Sequence, residues 1–354
     1  MRKILVWAAL AGATLGLAAA IVVAAGGIPI TASPGHWRAT AWMLDFTKRR
    51  SVDTHSFFIV TPPLDNPALV IKGAGHYELG CAPCHGSPLM PRPRIVMGMT
   101  PHPPFVPERI RRWLARELFY IVKHGIKFTG MPAWPSQSRD DEVWAMVAFL
   151  RALPALDGEE YRRLVWGPPG RRGGDALIAR CAGCHGDDGL GREEAAFPRL
   201  AGQSANYLVL ALQAFARQSR HSGVMGPIAA SLGEGEVRAV ASHFAGLPAP
   251  PQQPVVDQAA LARGAEIAKR GIPQQDVPAC VECHAPASGL RNPDYPVHAG
   301  QFADYLELQL ELFAAGRRGG SAYAEIMRPI ASRLTAEQMR AVAVYFASAA
   351  SETR

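Results

Sequence analysis

A chain of 354 residues with a net charge of +7 is too long for one small domain, and 48% hydrophobic with 19% charged residues excludes a disordered one. Its 34 glycines and 30 prolines follow no period, which excludes collagen and points to loop-rich domains. The charge is uneven: residues 36–155 hold 15 basic and 9 acidic side chains, with Arg92, Arg94, Arg109, Arg111, Arg112, Arg116, Lys123 and Lys127 set against Glu108 and Glu117 in 92–127. Such a face suits an acidic partner or anionic headgroups, or is simply solvated; no nucleic-acid motif accompanies it.

From the N-terminus, no charged side chain occurs between Lys3 and His36, and Ile4 to Ile28 is long enough to cross a bilayer as a helix. A cleaved signal peptide is the competing reading, with Val23-Ala24-Ala25-Gly26 as a place to cut, but the apolar core of a signal is shorter, about 7–15 residues. Residues 1–35 are therefore expected to be a retained anchor. Arg2 and Lys3 hold the N-terminus in the cytoplasm and leave everything after Pro29 outside it. Residues 36–71 read as a juxtamembrane segment and linker. Trp37, Trp42, Met43, Leu44 and Phe46 suit the headgroup level, and Thr61-Pro62-Pro63-Leu64-Asp65-Asn66-Pro67 is an extended connection.

The six cysteines form three identical patterns: Cys81-Ala-Pro-Cys84-His85, Cys181-Ala-Gly-Cys184-His185 and Cys280-Val-Glu-Cys283-His284. None is left for a disulfide framework or a nucleophile. The second and third patterns belong to a duplicated unit. Ala201–Phe215 aligns with Ala299–Phe313 at an offset of 98 with 9 of 15 positions identical, and Met225-x-Pro227-Ile228-Ala229 returns as Met327-x-Pro329-Ile330-Ala331. The first unit shares the plan without the words. Three units are expected, at 72–155, 170–248 and 257–350.

Each unit reads as helical, and no period-two strand pattern of useful length occurs. A helix leads into each motif near Lys72–Gly80, Asp175–Arg180 and Gln258–Arg270, the last separated from Cys280 by an insertion from Gly271 to Ala279. A middle helix follows near Glu108–Lys123, Ala205–Ala216 and Phe302–Ala315. A closing helix spans Asp140–Ala152, Gly235–Ala245 and Thr335–Ala347, and Thr335-Ala-Glu-Gln338 has the form of a capping box.

Outside the cytoplasm, Cys-x-x-Cys-His reads as covalent attachment of heme c. The two thiols add across the heme vinyl groups and the next residue presents imidazole to the iron. Zinc or a redox dithiol would use the same residue types, but neither accounts for three identical copies, each with its own downstream Met. The expectation is three hemes, joined through Cys81, Cys84, Cys181, Cys184, Cys280 and Cys283, with His85, His185 and His284 as axial ligands. A methionine as sixth ligand raises the potential, as an electron carrier needs. Met225 and Met327 are chosen because they sit in the repeated Met-x-Pro-Ile-Ala, and Met131 because of Gly130-Met131-Pro132. Met90, Met97 and Met99 rival Met131, and His102 or His124 would give a bis-histidine iron there. His36, His55, His76, His221, His243 and His298 have no metal spacing and read as ordinary surface or core residues.

On these motifs the chain resembles the class I c-type cytochromes. The second and third units resemble tandem diheme periplasmic cytochromes, and the first resembles the single-heme domains of oxidase- and dehydrogenase-linked membrane cytochromes. The resemblance implies an all-α fold of three tandem class I domains after the N-terminal transmembrane helix, with first and last helices crossing beside each heme. It also implies that a proline carbonyl orients each histidine: Pro198 and Pro296 in the duplicated units, and one of several within 101–107 in the first.

Three irons each held by His and Met leave no position for a substrate, so an electron-transfer protein is expected rather than an enzyme. The first reading is a periplasmic triheme cytochrome on the bacterial inner membrane, linking a quinol-oxidising complex or dehydrogenase to a terminal heme-copper oxidase. The second is the cytochrome subunit of a membrane alcohol or sugar-acid dehydrogenase, passing electrons to quinone. A heme enzyme such as a peroxidase would require one iron to exchange its ligand, and Met131 is the least secure.

Overall fold

The computed structural model describes residues 1–28, 30–167, 175–192, 195–254, 257–284, 292–321 and 323–350, and among them it is helical with no strand, only isolated bridges. The expected start of the second unit at residue 170, and Pro29, lie outside the described residues.

Helix α1 (Arg2–Ala24) buries none of its side chains. It is the one described helix long and apolar enough to cross a membrane, on length and composition. Helix α2 (Arg38–Ser56) fills most of the expected juxtamembrane segment. Its sequence carries the reason: Asp45 pairs with Lys48 at 2.7 Å and Arg49 at 2.8 Å, and Arg50 with Asp53 at 3.4 Å, all at helical spacing. Only Val52 and Ser56 are buried, while Trp42 stacks on Phe46 in solvent.

The first unit comprises α3 (Pro67–Gly80), α4 (Ala82–His85), α5 (Val106–Arg109), α6 (Ala115–His124), α7 (Asp140–Ala152) and α8 (Gly158–Trp166). Asn66 caps α3 by accepting from Ala68 N at 2.9 Å, with Pro67 in the first turn where its missing N–H costs nothing. The middle helix expected over 108–123 is broken: α5 ends at Arg109, a tight 3-10 turn spans Ile110–Arg112, and α6 starts afresh at Ala115. Helix α8 was not foreseen. Asp157 accepts from Glu159 N and Glu160 N at 2.8 Å, and Glu160 reaches back to Asp157 N at 3.1 Å, a capping box that starts it. Its Tyr161 and Val165 are buried in the core that also holds Tyr77, Phe149 and Leu153.

The second unit has α9 (Ala176–His185), α10 (Ala205–Ala216), α11 (Met225–Ala230) and α12 (Glu234–Ala245). The third has α13 (Gln258–Arg270), α14 (Val281–His284), α15 (Ala303–Ala314), α16 (Ala324–Ser332) and α17 (Ala336–Ser348). The Thr335 capping box is present, with Thr335 Oγ1 accepting from Gln338 N at 3.2 Å and Gln338 Oε1 accepting from Thr335 N at 2.8 Å. Helices α3 and α7 cross closely, as do α13 and α17. Glycine makes both crossings: a Cβ on Gly73 would collide with Ala145 O and Phe149 Cβ, and one on Gly264 with Ala341 O.

The duplicated units meet through the repeated segment itself. The Gln203 side chain donates to Val297 O at 2.5 Å and accepts from Val297 N at 3.0 Å, while Gln301 donates to Arg199 O at 3.0 Å and accepts from Arg199 N at 3.1 Å. Residues 199 and 297, and 203 and 301, are equivalent positions, so each unit gives the other the same pair of bonds. This is the self-complementary contact expected of two-fold-related copies. All four bonds are buried, where an unmade one would cost about 1–3 kcal/mol.

Candidate heme sites

In each unit the motif histidine turns its Nδ1 to a proline carbonyl. The distances are 2.9 Å from His85 to Pro104 O, 2.9 Å from His185 to Pro198 O, and 3.3 Å from His284 to Pro296 O. A carbonyl only accepts, so Nδ1 carries the proton and Nε2 keeps its lone pair. Pro198 and Pro296 are the two expected residues, and Pro104 is the one that sequence alone left open. Burial draws His284 down to about 4 and lowers His85 and His185, which keeps all three rings neutral.

The cysteines form no disulfide and are of intermediate burial, except the exposed Cys283. Burial pushes Cys81 up to about 12 and Cys184 and Cys280 up to about 11. Among the described residues, no group of three or more His, Cys, Asp and Glu side chains converges as a metal ion would need.

A cavity of about 500 Å³ runs between the second and third units, within the range of roughly 300–1,000 Å³ common for cofactor sites. Cys181, Cys184, His185, Pro198 and Met225 line it from one unit, and Cys280, His284, Pro296 and Met327 from the other. Both motif histidines, both candidate methionines and three of the four cysteines thus open into one chamber. The first set lies apart from it. Cys81 packs against the first unit's core, and Met131 is half-buried in a loop where Met99 presses its methyl against Gly130.

The lining holds Arg220 and Arg318 as well as the acids Asp141, Glu142 and Asp304. Buried Arg220 donates to Tyr207 Oη at 3.2 Å, Tyr305 Oη at 2.9 Å and Gln309 Oε1 at 3.3 Å, and Arg318 donates to Tyr207 Oη at 3.1 Å. Among the described residues neither arginine has a carboxylate partner. Burial, then the charge of Arg220, lowers the Arg318 guanidinium. A buried cation left with neutral partners is costly, and an anionic group beside it removes that cost. The carboxylates of heme propionates are such anions, so these walls fit the group that the motifs imply.

Three histidines read as ordinary, His76, His221 and His298, also line this chamber. His298, at the position equivalent to Leu200, lies tilted against His284 with ring centroids 4.2 Å apart. His76 comes from α3 of the first unit, where it is buried with Nδ1 unpartnered, and burial holds it at about 3. No spacing marked any of the three; only the packing of α3 against Phe197 and Cys184 brings His76 here.

Paired motif cysteines beside neutral, carbonyl-oriented histidines, in helical units with buried arginines on the cavity wall, fit a c-type heme site. The model of the family described as "Cytochrome C oxidase, cbb3-type, subunit III" matches residues 68–150 and 168–243. The thiosulfate dehydrogenase electron acceptor of Stutzerimonas stutzeri (strain A1501) is 38% identical over 177 residues, 50% of this chain and 82% of that one. Cytochrome c4 of Thiocapsa roseopersicina is 34% identical over 167 residues, 47% of this chain and 84% of that one. The crystal structure of reduced recombinant cytochrome c4 from Pseudomonas stutzeri covers 50% of this chain and 100% of its own at 29% identity, with a TM-score of 0.45. The chain belongs to the cytochrome c family, with class I, cytochrome c4-like units that hold heme c covalently, and it is an electron-transfer protein rather than an enzyme.

Proposed function

We propose that this protein is a membrane-anchored periplasmic cytochrome with three covalent hemes, carrying electrons in a respiratory chain to a terminal heme-copper oxidase. The observation that carries the reading is the shared chamber. Two cysteine-histidine-methionine sets line one cavity, so two redox centres sit close enough to exchange electrons, and the first unit packs directly against it. Helix α1 is the anchor, and α2, with Trp37, Trp42 and Phe46 exposed, rests at the headgroup level.

Bound heme supplies one-electron chemistry at its iron. The chain's residues do the rest. Cys81, Cys84, Cys181, Cys184, Cys280 and Cys283 hold the groups covalently, and His85, His185 and His284 offer Nε2 in a fixed ring orientation. Met131, Met225 and Met327 would serve as the sixth ligands, which would leave no position for substrate. Arg220 and Arg318 neutralise propionate charge and, as cations, favour the reduced state.

The family model's oxidase description supports the oxidase as partner. A second reading, in which the protein is the electron outlet of a dehydrogenase, draws support from relatives named as electron acceptors of thiosulfate dehydrogenase. An alcohol or sugar-acid dehydrogenase partner passing electrons to quinone belongs to the same reading. Gentle solubilisation from the native membrane and mass spectrometry of the co-purifying subunits separates them. Oxidase subunits are expected; a catalytic dehydrogenase subunit in their place transfers the protein to the second reading.

A further inference from the structure

The duplicated units diverge just before their candidate methionine ligands. Five positions separate Arg220 from Met225, but nine separate the equivalent Arg318 from Met327. The shorter segment is held from outside its own unit, by the first turn of α7 and the residues leading to it.

Glu142 of α7 is buried. Its Oε1 accepts from Ser222 Oγ at 2.6 Å and its Oε2 from Gly223 N at 2.7 Å. The carboxylate is completed within the first unit by Trp134 Nε1 at 3.1 Å and by Arg139, paired at 3.2 Å. Ser222 Oγ in turn accepts from Val224 N at 3.2 Å and from Met225 N at 3.0 Å. Arg139 also donates to His221 O at 2.7 Å, and Ser138 Oγ lies 2.7 Å from His221 Nδ1. Gly223 sits so tightly under Trp134 that a Cβ would collide with the indole nitrogen. Every residue from His221 to Met225 is thus bonded to, or one bond from, a segment that begins three residues after Met131.

We propose that Glu142 is a positioning residue for Met225, so that the first unit sets the strength of the methionine–iron bond in the second. This rests on Met225 being the sixth ligand. A buried carboxylate with all its acceptor positions in use is a stiff support, and removing it leaves Ser222 Oγ and Gly223 N without their acceptor. The Met225 backbone then loses the Ser222 anchor that holds the thioether on the iron. Among the described residues no carboxylate holds the segment before Met327 in this way, so the effect is confined to one heme.

The test uses the full-length, heme-loaded protein. Oxidised wild type, Glu142→Ala, Glu142→Gln, Met225→Ala and Met327→Ala are titrated with imidazole, which competes with methionine for ferric iron. The red-edge charge-transfer band of methionine-ligated ferric heme is followed together with the midpoint potentials. Met225→Ala should remove one heme's share of that band and lower one potential. Glu142→Ala should make that same heme bind imidazole about tenfold more tightly, the order set by breaking one buried charged network. Glu142→Gln, which keeps one acceptor oxygen, should fall between, and the heme altered by Met327→Ala should be unmoved. Should Glu142→Ala fail to fold, Ser222→Ala removes the same anchor at the Met225 end and should give the same shift. If Met225→Ala leaves band and potentials unchanged, the ligand assignment falls and takes the positioning role with it. If Met225→Ala acts but Glu142→Ala and Ser222→Ala leave imidazole binding unchanged, or alter all hemes alike, the positioning role alone is overturned.

Discussion

At the scale of single residues, the three proline carbonyls that fix the histidine rings are the most informative contacts. They account for the ring orientation of His85, His185 and His284 and for the lone pair each presents at Nε2, while burial keeps the rings neutral. Replacing Met327 with Ala should lower one heme potential and open its iron to carbon monoxide, with all hemes still covalently attached; redox titration and the reduced–carbon monoxide spectrum check this. Arg220 and Arg318 make a second prediction at this scale. Ferric heme carries one more positive charge than ferrous heme, so a nearby cation raises the potential and its removal lowers it. Arg318→Leu should therefore lower the potentials of the two hemes sharing the chamber and leave the third unmoved, whereas Arg318→Lys should preserve them. The proposed cysteine and histidine roles rest on the three motifs, because attachment needs that spacing whatever surrounds it. Pro104, His76 and His298 could not be read in this way, because nothing local distinguishes them from other prolines and histidines.

At the scale of elements, the helices that carry their own punctuation were legible. Helix α13 (Gln258–Arg270) and helix α10 (Ala205–Ala216) begin and end where their sequence patterns place them, and Thr335 caps α17 as its box implies. The middle helix of the first unit breaks at 110–114 although apolar spacing runs through it, since packing of Ile110 into the core overrides the local pattern. Helix α8 escaped notice because one short helix between two units resembles a linker until Tyr161 and Val165 are seen inside the first unit's core. The crossing glycines yield a stability test. Gly73→Ala and Gly264→Ala should each cost about 1–3 kcal/mol, since the backbone opposite cannot retreat from a new methyl group. Denaturant unfolding of the heme-loaded protein measures it, and an unchanged midpoint would show that these crossings are looser than the structure has them.

At the scale of the whole molecule, the reading of three attached hemes has a direct check. The intact mass of the purified protein should exceed the polypeptide by three heme groups, and Cys81→Ala with Cys84→Ala should reduce that to two. What the sequence determined alone is the chemistry and the repetition: three attachment motifs, a duplicated unit at an offset of 98, and an apolar N-terminal helix. Each follows from covalent spacing or from periodicity, which are properties of neighbours along the chain. What only tertiary structure decided is how the units meet. Gln203 and Gln301 reach reciprocally across the repeat, Arg220 and Arg318 come together with Tyr207 between them, and Glu142 lies against the segment before Met225. Those pairs are separated by about eighty to a hundred residues, and no local preference encodes such a distance. They exist because buried polar groups must find partners, and the partners within reach are set by how three helical units pack.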